Sequence, residues 1–324
     1  MNRLWQWFPT TIDRRVRVIA WASLVSQILI VGTGGAVRLT GSGLGCPTWP
    51  RCTDDSFVAT PEMGIHGIVE FGNRLLTFVL IVIALLAFLF VVRMRRERPE
   101  LLRLTLALGF GIIAQAIIGG ITVLTGLNSW IVGLHFVVSS VLVALAAVLV
   151  HRVYRGRATP RLAVPPPVRL LALATAVGVW VTVLVGIVVT GSGPHAGDAD
   201  TPRNGLDPEV WQHVHSWPAY ITAALSVLLL IAAVRVGHAP LRRAVLGLLA
   251  VEAVQMGVGL AQARLGLPEL LVGAHMVLAC VLVAALTHVL LTLRVSEGSA
   301  TLEDSRDQKG SSGSIATPTK SSVR

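Results

Sequence analysis

Of 324 residues, 53% are hydrophobic and 14% charged, and the mean hydropathy of +0.72 rules out an ordinary water-soluble domain. The formal charge of +10 would suit nucleic acid, yet 22 of the 27 Lys and Arg residues fall in segments that share one side if the apolar runs alternate across a bilayer. The charge therefore marks a cytoplasmic face, and no nucleic-acid partner is expected. Apolar runs of membrane-crossing length occupy about 16–39, 65–92, 103–125, 130–151, 169–190, 210–234, 243–263 and 270–293. The expected fold is an all-α polytopic membrane protein of eight transmembrane helices with both termini cytoplasmic.

Residues 1–15 read as a cytoplasmic N-terminus, with no apolar core or processing site of a removable signal peptide. The first helix ends in VGTGGAVRLTGSGLGC and enters a Gly- and Pro-rich outer loop holding Cys46 and Cys52. Two thiols six residues apart on an oxidising side predict a disulfide that restrains the loop. A redox-active pair is the alternative, placed second because CPTWPRC lacks the CxxC spacing. Cys280, alone in the last helix, reads as a packing residue.

The second helix opens with HGIVEFGNR. Spacings of four and seven put His66, Glu70 and Asn73 on one face, with Arg74 at its edge. Ionisable groups inside an apolar helix end are costly, so the stripe either faces water or carries chemistry. The stretch AQAIIGGITVLTGLNSWIVGLHF then matches VQMGVGLAQARLGLPELLVGAHM without a gap. Gln115, Gly119, Gly126, Gly133 and His135 fall opposite Gln255, Gly259, Gly266, Gly273 and His275, each 140 positions on. TGSG at Thr40–Gly43 likewise recurs at Thr190–Gly193. A duplication of four helices follows, with parallel halves related by an axis along the membrane normal. The halves span 16–151 and 169–293, joined by a cytoplasmic linker over 152–168 and followed by a Ser- and Gly-rich disordered tail over 294–324.

Of the nine histidines, His66, His135, His215 and His275 each fall within about two turns of the outer ends of helices two, four, six and eight. A lone intramembrane histidine is ordinarily a packing residue; four at one depth, two of them repeat-related, point to haem iron, which imidazoles from facing helices ligate. His151 and His288 read as interfacial, His238 belongs to an inner loop, and His195 and His213 are outer-side and ambiguous.

With GGAVRLTGSGLGC, EFGNR, LHF at His135, the His215 position and GAH at His275, residues 16–293 resemble the haem A synthase (CtaA-type) family. The resemblance implies oxidation of a methyl group of haem O to the formyl group of haem A for terminal oxidase assembly. It implies a low-spin haem b cofactor on His215 and His275 in the C-terminal half, and substrate haem in the N-terminal half near His135 and Glu70. Glu70 is then the candidate catalytic carboxylate, and Arg38 and Arg74 are candidates for the substrate propionates or, equally, interfacial anchors. Expected partners are haem O, haem O synthase, an electron carrier the sequence does not identify, and membrane lipid, in the cytoplasmic membrane.

Two departures matter. The family's EXXHR reads Glu70, Phe71, Gly72, Asn73, Arg74, so asparagine replaces a histidine, as in an actinobacterial-like subgroup, and the outer loop GSGPHAGDADTPRNG lacks a cysteine pair. His66 is the substitute ligand, but at 1.5 Å per residue it lies about 10 Å further out than residue 73, so it reaches the same iron only if helix two is displaced or starts irregularly. A b-type cytochrome that only carries electrons is the alternative function; it needs haem near both faces and has no use for Glu70. A transporter needs a midplane site, where Glu252 stands isolated.

Overall fold

The computed structural model describes residues 6–156 and 158–296. The tail expected beyond Ser296 lies outside the described residues. Among the described residues, eight helices are long and apolar enough to cross a membrane: α1 (Arg14–Leu39), α2 (Gly64–Val91), α3 (Pro99–Leu124), α4 (Ser129–Arg155), α5 (Pro166–Ser192), α6 (Pro208–Arg235), α7 (Ala239–Arg264) and α8 (Glu269–Leu291). Each start has a local reason. Asp13, Asn128 and Asp207 accept from backbone amides at the N-termini of α1, α4 and α6, and Pro99, Pro166 and Pro208 stand at first positions that need no donor.

Within each half the four helices close a ring, α1–α2–α3–α4–α1 and α5–α6–α7–α8–α5, and the halves meet through α1, α4, α5 and α8. The duplication is visible in the backbone. Among the described residues only Leu127 and Leu267 combine a side chain with positive φ, both at 60°, and each follows a left-handed glycine, Gly126 or Gly266. The α3–α4 and α7–α8 turns are therefore the same turn, 140 residues apart.

Each half packs its own core toward the end that holds the starts of α1 and α5. One core runs from Val16 and Leu24 through Met94 and Leu101 to Leu149 and Val153; the other runs from Val168 and Ala172 through Ala233 and Leu241 to Val289. A short sheet ties the two ends of the C-terminal half together. β1 (Ala158–Leu162), in the stretch read as a linker, pairs antiparallel with β2 (Arg294–Ser296), and Thr159 Oγ1 donates to the Val295 carbonyl at 3.0 Å. The first residues assigned to a disordered tail are thus ordered by a strand partner that lies 136 positions away in the chain.

Candidate functional site

In the N-terminal half, α2 is preceded by a 3-10 turn, Pro61–Met63, and runs without interruption from Gly64. This places Glu70 at 5% exposure, facing the outer loop. Cys46 and Cys52 form the expected disulfide and are fully buried. Glu70 Oε2 accepts from the Cys46 amide at 2.6 Å, and Oε1 accepts from Arg74 Nη2 at 2.5 Å and Nε at 3.1 Å. The same guanidinium donates to the carbonyls of Cys46 at 2.8 Å, Thr48 at 2.9 Å and Arg51 at 3.1 Å. A buried carboxylate and its i+4 arginine thereby clamp the disulfide loop over the end of α2; three loop carbonyls and one loop amide replace the water these charges give up.

Arg38 does similar work between the halves. Its Nε donates to the His195 carbonyl at 2.5 Å and its Nη2 to the Thr190 carbonyl at 2.8 Å, while the Gly43 amide donates to the Gly197 carbonyl at 2.7 Å. A Cβ at Gly43 would fall 2.6 Å from Leu127 Cδ1 and 3.0 Å from that carbonyl, so only glycine permits this junction of the two outer loops.

The histidines divide. His215 and His275 face each other across α6 and α8 with ring centroids 6.3 Å apart. One metal ion between two imidazoles, with bonds of about 2 Å and about 1 Å more from each nitrogen to its ring centre, spans about 6 Å. The pair fits a single axially ligated iron. Each ring also lies on a glycine: a Cβ at Gly186 would come 2.8 Å from His215 Cε1, and one at Gly259 would come 3.0 Å from His275 Cε1. His135 has the same seat on Gly119, at 3.2 Å. The Nδ1 atoms of all three are buried without a hydrogen-bond partner.

His66 stands apart from this arrangement. It is exposed, its Nδ1 is 2.9 Å from Ser42 Oγ, and with Gly45, Met63 and Asp198 it lines an open outer cavity of about 560 Å³. Because the irregular turn precedes Gly64, His66 keeps its full helical rise above Asn73. Asn73 is the residue that occupies the place equivalent to His215: it faces α1, where a Cβ on Gly34 would lie 4.0 Å from its Nδ2, and its Oδ1 is a buried atom without a partner. His213 is exposed and bonds the Glu209 carbonyl of its own helix at 2.8 Å.

Sequence reasoning passed over four features. The glycine seats of His135 and His275 lie inside the aligned repeat, so a search for glycines facing the histidines would have found them. Pro218, three residues past His215, removes a backbone donor from α6, so the Val214 carbonyl beside that histidine loses its helical amide. Glu252, read as isolated, accepts from Ser226 Oγ at 2.8 Å. His151 and His288, read separately as interfacial, meet across α4 and α8 with centroids 5.5 Å apart.

The eight helices in two like halves, with an imidazole pair in one half and a clamped disulfide loop in the other, define a duplicated multi-pass membrane protein. The model of the COX15-CtaA cytochrome oxidase assembly protein family matches residues 17–287, and the chain belongs to that family. It is similar to the "Heme A synthase" of Lysinibacillus sphaericus (strain C3-41), 36% identical over 140 residues that make up 42% of this chain and 44% of the relative. The "Heme A synthase" of Geobacillus thermodenitrificans is 29% identical over 154 residues, 47% of this chain and 48% of the relative. That of Bacillus pumilus (strain SAFR-032) is 35% identical over 128 residues, 38% and 39%. The aligned segments thus span about half the length of these relatives or less.

Proposed function

We propose that the chain is a haem A synthase, oxidising a methyl group of haem O to the formyl group of haem A for terminal oxidase assembly. The observation that carries this reading is the His215–His275 pair on its glycine seats, together with the family membership. On this reading His215 and His275 hold a resident haem b, which supplies one-electron redox chemistry when bound. Substrate haem O occupies the N-terminal half against His135.

The chain's own residues then have defined work. Oxidising a methyl through a hydroxymethyl to an aldehyde releases protons at each step, and Glu70 is the carboxylate placed to take them up, beside the bonds that hold the loop. The disulfide loop, pinned by Glu70 and Arg74, covers the substrate half and limits water there. Arg38 and Arg74 are assigned to the substrate propionates, each exchanging a backbone carbonyl for a carboxylate oxygen. His66 joins as a second ligand only by giving up Ser42. We further assign the protein to the cytoplasmic membrane with both termini inside, receiving haem O from haem O synthase and passing electrons to a carrier in the membrane.

One observation favours the second reading, an electron-carrying b-type cytochrome: His151 and His288 form an imidazole pair at the opposite face. Their 5.5 Å separation is shorter than that of the His215–His275 pair, and Arg152 and Arg155 bear on His151 electrostatically, which disfavours a cation between the rings. Extraction of pigment from the purified protein decides between the two. Haem A or haem O alongside haem b is expected; haem b alone, at both faces, would establish the cytochrome.

A further inference from the structure

The disulfide loop of the N-terminal half carries one large aromatic side chain, and it lies on α3. Trp49 stands between Cys46 and Cys52, and a Cβ on Gly120 would fall 2.6 Å from its Cε2 and 2.8 Å from its Cγ, so nothing larger than glycine fits beneath the indole. Gly120 directly follows Gly119, the seat of His135. Consecutive helical residues point about 100° apart and differ by about 1.5 Å in height, so the indole and the imidazole occupy neighbouring faces of α3 at one level.

The chain on either side of Trp49 is held by α2. Arg74 donates to the carbonyls of Thr48 at 2.9 Å and Arg51 at 3.1 Å, and Glu70 fixes the same guanidinium. The loop therefore bridges from α2 to α3 across the outer end of the half, with Trp49 as its contact on α3. The C-terminal half differs at the same place. The residue 140 positions on from Gly120 is Leu260, half exposed, and the outer stretch GSGPHAGDADTPRNG holds no Trp, Tyr or Phe. The glycine slot and the aromatic that fills it thus occur together in the half where Asn73 stands in place of a histidine, and neither occurs in the other. Trp49 is still 37% exposed, so part of the indole remains uncovered after the ring is seated.

We propose that Trp49 is a binding residue for the substrate haem: seated on Gly120, its indole closes the α2–α3 side of the site and forms the apolar wall that the porphyrin meets beside His135. An indole suits this work because it offers a large, flat apolar surface and has few torsions to freeze. The clamp of Glu70 and Arg74 then holds the wall in place as well as the loop.

The proposal rests on the reading that haem O occupies the N-terminal half, and its test separates the two. Binding of added haem O to the purified full-length protein is titrated by absorbance. Trp49→Ala should weaken binding by about 10-fold, and Trp49→Phe should recover most of that loss. The haem b spectrum and the Cys46–Cys52 bond, read by thiol labelling, should stay as in the wild type. Gly120→Ala tests the seat. Alanine suits a helix better than glycine, so by itself it favours α3, yet its methyl group has no room beneath the indole. It should therefore weaken binding as Trp49→Ala does, and in the Trp49→Ala background it should add nothing. Unchanged binding in Trp49→Ala, or a Gly120→Ala loss that persists in full without the indole, overturns the proposal. Loss of haem b or of the disulfide in Trp49→Ala overturns it too, by making Trp49 a folding residue. Wild-type protein that binds no haem O would overturn the haem O reading itself, and the proposal with it.

Discussion

The two halves share a turn, a four-helix ring and a glutamine–glycine–histidine arrangement, and they differ in what faces the histidine of the fourth helix. In the C-terminal half His275 meets His215, seated on Gly186. In the N-terminal half the place of His215 belongs to Asn73, and the place of Gly186, by the TGSG register, to Ala36. That half has instead a buried ion pair holding a disulfide loop over its mouth. On the proposed reading, the half with two facing histidines would hold the resident group and the half with asparagine in place of one would take the substrate.

The largest effect should come from removing one C-terminal ligand. His215→Ala or His275→Ala should abolish the low-spin haem b signal in the reduced-minus-oxidised spectrum, whereas His213→Ala should leave it intact. A preserved signal in either ligand variant would erase the contrast between the halves. Next in size is Glu70→Gln, which keeps the shape but breaks the charge pair with Arg74. Haem A formation should fall by about 100-fold or more, while the haem b spectrum persists. A normal rate would free Glu70 from any part in the chemistry.

Asn73→His tests the asymmetry directly. It should give the N-terminal half tighter binding of haem O and slower turnover, measured as retained pigment against haem A produced; unchanged retention would mean that residue 73 does not face the substrate. A milder loss is expected from Cys46→Ser with Cys52→Ser, which should lower activity more than haem b content. Thiol labelling of the unfolded wild-type protein should find Cys280 alone until reductant is added.

The smallest effect lies outside both sites. His238 caps α7 by accepting from the Leu241 amide at 3.1 Å through Nδ1, and burial holds its pKa below the ordinary histidine value. The folded protein thus binds this proton less readily than the unfolded chain. Stability should be unaffected above the ordinary histidine range and should decline as pH falls below it. His238→Ala should cost about 1 kcal/mol near neutral pH and remove that decline, as read by thermal unfolding.

What the sequence determined by itself was whatever depends on local pattern: apolar runs long enough to span a bilayer, the sidedness of arginine, the exact 140-residue repeat and the conformity of Cys46 and Cys52 to a short exported loop. These are properties of neighbours in the chain, and a linear reading captures them. The partner of each polar side chain was decided only in three dimensions. Glu70 and Arg74 read as a bare catalytic stripe, but loop atoms 23 to 28 residues away from them fill most of their hydrogen-bonding capacity once α1 and α2 pack together. His66 shares an azimuth with Asn73, yet the loop beside it offers Ser42, and an imidazole at a wet helix end takes the nearest hydroxyl. The strand pairing of Arg294–Ser296 with Ala158–Leu162 needed α5–α8 packed between them in the chain, because neither segment carries a strand signal alone. Period and composition fix which face a residue occupies; only packing fixes what waits opposite it, and in an apolar bundle that opposite group decides whether a polar side chain is a ligand, a clamp or a cap.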